Sequence, residues 1–290
     1  MKPAKKLLMM GCMSLLFPGY FLLAQKPENI SITLSQPGKS FDLKMDLWKG
    51  SIDIVSYNGT NLEIEALPMK VVEGPHGNQN QNQNQQQVTI DYKRDITIPT
   101  VPAIIEGTYI KVTESSNRII IKPVVQGQQL SIKVLVPKQT GIFHINSMLH
   151  ANISLTDLAG EIDITNNAGE IKLAGISGSA VVSNVAGNIN ANFKSVSTSL
   201  PMAFSTVAGY IDVSIPSSAK ATVKAYSDNS DFTSEFPTDY ISTPSPVVSQ
   251  NSKGVNRIEN VKNIIGKING GGPELRFKTM EGPIHLRKSK

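Results

Sequence analysis

The chain has 290 residues, of which 40% are hydrophobic, 18% charged and 6% aromatic. This composition is typical of a globular protein, because disordered chains are less apolar and membrane bundles have longer apolar runs. The net charge is +5, but Lys2, Lys5 and Lys6 supply three of these charges, so the remainder carries 25 basic against 23 acidic side chains. A nearly neutral chain without a basic cluster does not favour nucleic acid as a partner.

The first 25 residues have the pattern of a secretory signal peptide. Three lysines precede an apolar stretch from Leu7 to Leu23, and Ala24 is a small residue at the predicted cleavage point. A proline and a glycine interrupt the stretch, which disfavours a retained membrane anchor; acylation of Cys12 is the alternative. We therefore predict export to the periplasm, the outer-membrane surface or the medium, with a mature chain that begins near Gln25.

Removal of the signal peptide would leave no cysteine in the mature chain, because Cys12 is the only one. Thiol catalysis, disulfide bonds and Cys-ligated metal sites are then excluded. No later apolar run reaches about 18 residues, so we predict no transmembrane segment in the mature chain.

A nine-residue glycine repeat is the most specific signal in the chain. The units are GEIDITNNA from Gly160, GEIKLAGIS from Gly169, GSAVVSNVA from Gly178 and GNINANFKS from Gly187. ANISLTDLA, from Ala151, has the same register with alanine in place of glycine. The pattern resumes later as STVAGYIDV and again as GPIHLR near the C-terminus.

Each unit alternates apolar residues at positions three and five with polar neighbours, which is typical of a strand with one buried side. Position seven holds Asp157, Asn166, Gly175 or Asn184, residue types that tolerate a left-handed backbone in turns. Nine extended residues reach at most about 30 Å, too little for a closed coil around a core. Two units therefore predict an 18-residue coil with strands on opposite sides, stacked as a parallel β-solenoid. An antiparallel meander remains the alternative, because alternation alone does not distinguish the two.

The flanking segments predict further strands and no helix. Alternating segments at 30–34, 52–57, 62–65, 88–92, 108–113, 118–123 and 130–136 predict N-terminal strands that continue into the same sheets. The Asn/Gln-rich tract at 78–87 offers nothing to bury, which predicts a disordered loop. The polar stretch at 217–256 predicts a long excursion before the closing coils. With no sharp linker, we predict one all-β, β-helix-like domain over residues 26–290.

The sequence contains no motif for catalysis or for cofactor binding. The four histidines lack metal-ligand spacing, and nucleotide, dinucleotide and hydrolase motifs are absent, so no metal and no cofactor are predicted. The polar residues at outward strand positions form the candidate binding face, which a flat sheet would present to a ligand. These residues are Glu161, Asp163, Glu170, Lys172, Asn188, Asn190, Tyr210 and Asp212.

Three features of the sequence resemble the bacterial putative-adhesin domain family. They are the strands that begin with glycine, the return of the repeat pattern at 205–213, and the closing segment GKINGGGPELRFKTMEGPIHLRK. The resemblance covers most of the mature chain and is firmest from about Leu130 onward. It implies a secreted β-solenoid of undefined biochemistry, of a kind common in Bacteroidetes envelopes, and it brings no catalytic residues. The label of adhesin itself rests on fold analogy.

These observations predict an exported, non-enzymatic surface or periplasmic protein. Its expected partner is an unidentified protein or glycan of the cell surface or envelope, bound by an extended sheet face. One alternative is a carbohydrate-active enzyme on a β-helix scaffold, which would need a converging pair of carboxylates beside a cleft. Another is a periplasmic scaffold for a second envelope protein.

Overall fold

The computed structural model describes residues 26–69, 103–228, 230–237, 240–243, 247–251, 254–259 and 263–289. The predicted signal peptide, the amide tract at 78–87 and the predicted strand at 88–92 lie outside these ranges. The described residues form strands and turns without a helix. None of them therefore belongs to a helix long and apolar enough to cross a membrane.

The strands, in chain order, are β1 Glu28–Thr33, β2 Phe41–Tyr57, β3 Asn61–Pro68, β4 Ala103–Glu106, β5 Ile110–Ser115, β6 Arg118–Pro123, β7 Gln129–Pro137, β8 Thr140–Thr156, β9 Ala159–Ala168, β10 Ile171–Ala186, β11 Ile189–Val196, β12 Met202–Ala208, β13 Ile211–Ile215, β14 Ala221–Ser227, β15 Phe232–Ser234, β16 Ile241–Thr243, β17 Val247–Gln250, β18 Asn256–Glu259, β19 Asn263–Ile268, β20 Glu274–Glu281 and β21 Ile284–Lys288.

Parallel pairing of successive coils confirms the solenoid. Gly160 lies beside Gly178, and Ile171 lies beside Ile189, so in each of these two pairs the partner lies 18 positions along the chain. An antiparallel meander would pair these strands in opposite directions, and the parallel register excludes it for the central coils.

Each coil contributes a strand to two opposite sides of the solenoid. The front face has the strand order β4, β5, β6, β2, β8, β9, β10, β12, β20, β14, β19 and β16. The back face has the order β1, β3, β7, β2, β8, β10, β11, β13, β21, β15, β18 and β17. The long strands β2, β8 and β10 turn a corner and belong to both faces.

The core lies between the two faces, and the predicted inside and outside of the strands are confirmed. Ile162 and Ile164 point inward from the front face, and Ile171 and Leu173 from the back, all at most 3% exposed. Their neighbours Glu161, Asp163 and Lys172 are exposed. Period-two alternation therefore places one side of the central strands in a continuous apolar core.

The repeated glycines stand in two columns at the corners, so alternate units occupy different corners. Gly160 and Gly178 begin strands of the front face, and Gly169 and Gly187 precede strands of the back face. A methyl group on Gly178 would overlap the carbonyl oxygen of Gly160 in the coil below, and its φ of 137° disfavours a side chain. Glycine is therefore required both by conformation and by the close approach of stacked coils.

Position seven of the repeat also differs between the two corners. Asp157 and Gly175 have positive φ as predicted, but Asn166 and Asn184 do not. Both asparagines are buried, and the Nδ2 of Asn166 donates to the carbonyl oxygen of Ala151 at 3.0 Å. They close the corner through side-chain hydrogen bonds and not through a left-handed backbone.

Both chain ends insert as coils among the others. In spatial order the parallel coils are β6 with β7, β2, β8, β9 with β10, β10 with β11, β12 with β13, β20 with β21, and β14 with β15. The N-terminal β2 thus lies beside β8, and the C-terminal β20 and β21 separate two coils that are consecutive in sequence. The stretch at 217–256, predicted as an excursion, includes the β14–β15 coil.

Antiparallel strands cover both ends of the stack. β5 and β4 continue the front face beyond β6, and β3 and β1 continue the back face beyond β7. At the opposite end β19 with β16 and β18 with β17 do the same. A change from parallel to antiparallel pairing ends the repeat and limits further stacking at the open edges.

Candidate functional site

The eight residues of the predicted binding face lie on opposite sides of the solenoid. Glu161 and Asp163 project from β9 on the front face. The remaining six lie in or next to β10, β11 and β13 on the back face, in neighbouring register positions. A single cluster of all eight, as the sequence pattern implied, does not form, because successive nine-residue units alternate between the two faces.

Hydrogen bonds between coils connect Glu170, Asn188, Asn190 and Tyr210 on the back face. The Nδ2 of Asn190 donates to Glu170 Oε1 at 3.0 Å and to the Tyr210 hydroxyl oxygen at 3.2 Å. The Oδ1 of Asn188 accepts from the backbone N–H of Tyr210 at 3.1 Å. Lys172 is exposed next to Asn190. Because three coils are joined by these contacts, the side chains hold defined positions before any ligand arrives.

The C-terminal coil extends this surface with residues that were not predicted. The Nε of Arg287 donates to both carboxylate oxygens of Asp212, at 2.8 and 2.9 Å. His285 lies between Asp212 and Thr233 in register, and its Nδ1 is 2.7 Å from the Thr233 hydroxyl oxygen. The three residues were missed because the insertion of β21 beside β13 is non-local. The shared pattern of GYIDV and GPIHLR, which aligns Asp212 with His285, was the available signal.

We call this surface the back-face patch: Glu170, Lys172, Asn188, Asn190, Tyr210, Asp212, Thr233, His285 and Arg287. Burial lowers the pKa of His285, as does the nearby Arg287, while Asp212 and Asp231 act in the opposite direction. The patch is a polar surface that carries both acidic and basic groups.

The front face has a shallow depression of about 480 Å³ near its N-terminal coils. Its lining includes Asp42, Asp46, Asp163, Arg118 and His144. Arg118 pairs with Asp42 at 2.9 Å, and His144 Nδ1 lies 3.5 Å from Asp163. Nowhere in the described part of the chain do three or more metal-ligating side chains gather as a metal site would require.

An apolar ridge follows the corner between the front and back faces. Its side chains are between 43% and 54% exposed, and they come from four different coils. The ridge consists of Met148, Leu149, Val185, Val207 and Met280. The ridge was not predicted from the sequence, although Val185, Val207 and Met280 occupy outward positions of the strand alternation.

Comparison with known proteins supports the repeat architecture of the central coils. Residues 143–269 match the family model described as Toastrack DUF4097. The match covers less than half of the chain, from β8 to the end of β19. It agrees with the resemblance to an uncharacterised adhesin-like family that the glycine repeats carry, and it assigns no biochemistry.

No curated protein matches the chain. A crystal structure described as a putative cell adhesion protein from Clostridium sporogenes ATCC 15579 is similar over 91% of this chain and 99% of that chain, at 12% identity and a TM-score of 0.36. A TM-score this low does not establish a shared fold, and nothing about binding follows from it.

Proposed function

We propose that the protein is an exported, non-enzymatic binding element of the cell envelope, which engages a surface protein or glycan through the back-face patch. Export is inferred from the lysine-rich, apolar N-terminal segment at 1–25. The observation that carries the binding role is the hydrogen-bonded ladder of Glu170, Asn190 and Tyr210 across three coils.

The ladder favours binding because its side chains are already ordered. A long polar side chain loses up to about 1.5 kcal/mol of conformational free energy when an interface immobilises it. Asn190, Tyr210 and Arg287 are held by neighbouring coils, so most of this cost is met during folding. An exposed sheet face with amide, hydroxyl and charged groups suits an extended ligand better than a small molecule, which requires a concave site.

The alternative of a carbohydrate-active enzyme is connected with the front-face depression. Asp42, Asp46 and Asp163 line it, and paired carboxylates are the groups that glycoside hydrolysis uses. Asp42 is paired with Arg118 and Asp46 lies 3.8 Å from Lys122, so both carboxylates have cationic partners in the free protein. These ion pairs favour a structural role for the two carboxylates. Because the acids gather in this depression, it is the place at which catalysis is tested.

Binding to immobilised sacculi, capsular polysaccharide and outer-membrane vesicles, each presented separately, tests the proposal. We expect one fraction to retain the mature chain, and the double substitution Lys172→Glu with Tyr210→Ala to weaken that retention at least about tenfold. Lys44 is exposed on the front face and lines the depression there; Lys44→Glu makes the same charge change and should leave retention unchanged. The melting temperatures of all variants verify that they are folded.

Three results would overturn the proposal. The first is the absence of retention on every fraction. The second is a loss of retention in Lys44→Glu while the back-face variant binds normally, which would move the site to the depression. The third is release of soluble sugar from polysaccharide by the native chain but not by Asp163→Asn, which would establish the enzyme instead.

A further inference from the structure

The outer surface of the front face has a charge pattern that is complementary to itself. Glu161 and Asp163 make β9 acidic, whereas β10 and β12, the next two strands, carry no charge on this side. Beyond them, Arg276 and Lys278 make β20 basic. An acidic strand and a basic strand thus lie at equal distances on either side of a neutral pair.

The neutral pair forms a smooth platform of small side chains. Its outward residues are Val181, Ser183, Ala203 and Ser205, and Val185 and Val207 of the apolar ridge continue it as far as the corner. Val181 is 47% exposed at the middle of the platform. No long side chain rises from these strands, so a second sheet can approach to the ordinary spacing of about 10 Å.

From this geometry we infer that two copies of the chain associate front face to front face, about a twofold axis that runs parallel to the strands between β10 and β12. Such a rotation reverses the order of the coils and keeps the positions along each strand. It sets β10 opposite β12 of the second copy and β9 opposite β20. Asp163 and Arg276 occupy the same strand position, since both are aligned through Val181 and Ala203. They therefore face each other twice in the pair.

The charges on the two outer strands are partly satisfied within one chain. Arg276 and Lys224 both contact Glu274, and Asp163 lies beside His144. With Lys278 included, the cluster of Lys224, Glu274 and Arg276 carries a net positive charge, opposite in sign to the two carboxylates of β9. Complementary fields of this kind favour one orientation of a pair over others.

The area is sufficient for a reversible dimer. Six neighbouring strands of the front face form the contact area: β8, β9, β10, β12, β20 and β14. At about 4.8 Å per strand they cover about 29 Å across the coils, and three outward positions in each strand cover about 20 Å along it. The pair would bury about 1,100 Å² in total, close to the lower limit for specific interfaces. A dimer that dissociates on dilution is the expected form.

Sedimentation velocity of the mature chain between about 1 and about 300 µM tests the pairing, over the range where reversible dimers dissociate. We expect a monomer–dimer equilibrium. Asp163→Arg and Arg276→Glu should each weaken the dimer at least about tenfold, and the double variant should restore it to within about threefold of the native constant. A native chain that stays monomeric throughout, or a double variant no better than the singles, would overturn the inference.

Val181 and Leu149 provide a matched control. Both are 47% exposed, but Val181 is in the middle of the platform on β10, whereas Leu149 is on the apolar ridge, at the corner where β8 leaves the front face. Val181→Lys places its ammonium group next to Asp163 in the monomer, so folding is not impaired, and it should abolish dimerisation. Leu149→Lys should leave dimerisation unchanged. If Leu149→Lys alone disrupted the dimer, the ridge and not the front face would be the interface.

This inference does not depend on the proposed function. The front-face pair leaves both back-face patches exposed, so its failure would leave ligand binding to single chains intact. Conversely, dimerisation would persist if no ligand were found.

Discussion

The central coils and the two end regions of this solenoid are held together in different ways. From β8 to β13 the chain passes from one coil to the next in sequence, and glycine columns allow the coils to stack closely. At the ends, neighbouring coils come from distant parts of the chain. Asp42 of β2, for example, lies beside Arg118 of β6. The centre is thus specified by a local repeat and the ends by non-local contacts.

Buried polar side chains replace the repeat at the N-terminal end. The Oε1 of Glu114, which is 3% exposed, accepts from the backbone N–H of Ser35 at 3.1 Å and from that of Asn117 at 2.9 Å. At the same end, the carboxylate of the partly exposed Glu28 accepts from the N–H of Thr108 at 2.8 Å. Individual hydrogen bonds therefore hold the loops at this end, where the sequence has no repeat. When one of these bonds is removed, no neighbouring repeat supplies an equivalent bond.

The largest expected effect is truncation after Gly272, which removes β20 and β21. Leu275, Phe277, Ile284 and Leu286 are at most 1% exposed, and burial of such side chains contributes about 1.5–3 kcal/mol each. Their combined loss approaches the whole stability of an ordinary domain, so we expect no cooperative thermal transition. Because the missing coil lies inside the stack, a truncated chain that still melted cooperatively would contradict the inserted position of the C-terminus.

Ile171→Asp tests the central coils themselves. Ile171 is fully buried, and a carboxylate there would have no partner between the faces, so we expect a loss of more than about 4 kcal/mol in the free energy of unfolding. Denaturant titration measures it. The neighbouring Lys172→Glu, on the exposed side of the same strand, should change stability by less than about 0.5 kcal/mol. The opposite ranking would mean that inside and outside are exchanged.

The central coils could be predicted because each carries its own signal. Gly160, Gly169, Gly178 and Gly187 gave the half-coil length, and alternation gave the buried side of each strand. The insertion of β2 and β20 could not be predicted, because nothing in the periodicity of one segment states which distant segment lies beside it. The same limit concealed the contribution of His285. The separation of Glu161 from Glu170 instead follows from the repeat itself, because successive nine-residue units alternate between the two faces.

Gly178→Ala measures what the glycine columns contribute at the centre. Overlap with the Gly160 carbonyl group and the strained φ should together cost about 3 kcal/mol. Gly38, in the loop before β2, also has a positive φ of 79° but has no atom within 4 Å of an added Cβ. Gly38→Ala should therefore cost only about 1 kcal/mol. Equal losses of stability in the two variants would show that the close approach of stacked coils adds nothing to the cost of a Cβ atom at Gly178.

Glu114→Ala is the corresponding test at the N-terminal end. Removal of the carboxylate leaves the N–H groups of Ser35 and Asn117 without their buried acceptor, which should cost about 2 kcal/mol. Hydrogen exchange distinguishes a local from a global effect: we expect faster exchange at Ser35 and Asn117 and unchanged protection at Ile171 and Ile189. Uniform loss of protection would mean that the ends and the centre unfold as one unit.

The smallest expected effect concerns His285, where the C-terminal coil meets the central stack. Burial lowers its pKa in the folded protein below the usual value of 6.5, so the unfolded chain binds the proton more readily. The corresponding stability is present above about pH 6.5 and is lost as the pH falls through the folded pKa. The half-exposed ring makes this loss smaller than the effects above. We expect the melting temperature to fall between about pH 7 and about pH 5, and to fall less in His285→Gln, which retains a hydrogen-bonding group near Thr233. A steeper fall in the variant would mean that Asp212 and Asp231, and not burial, dominate the environment of the imidazole.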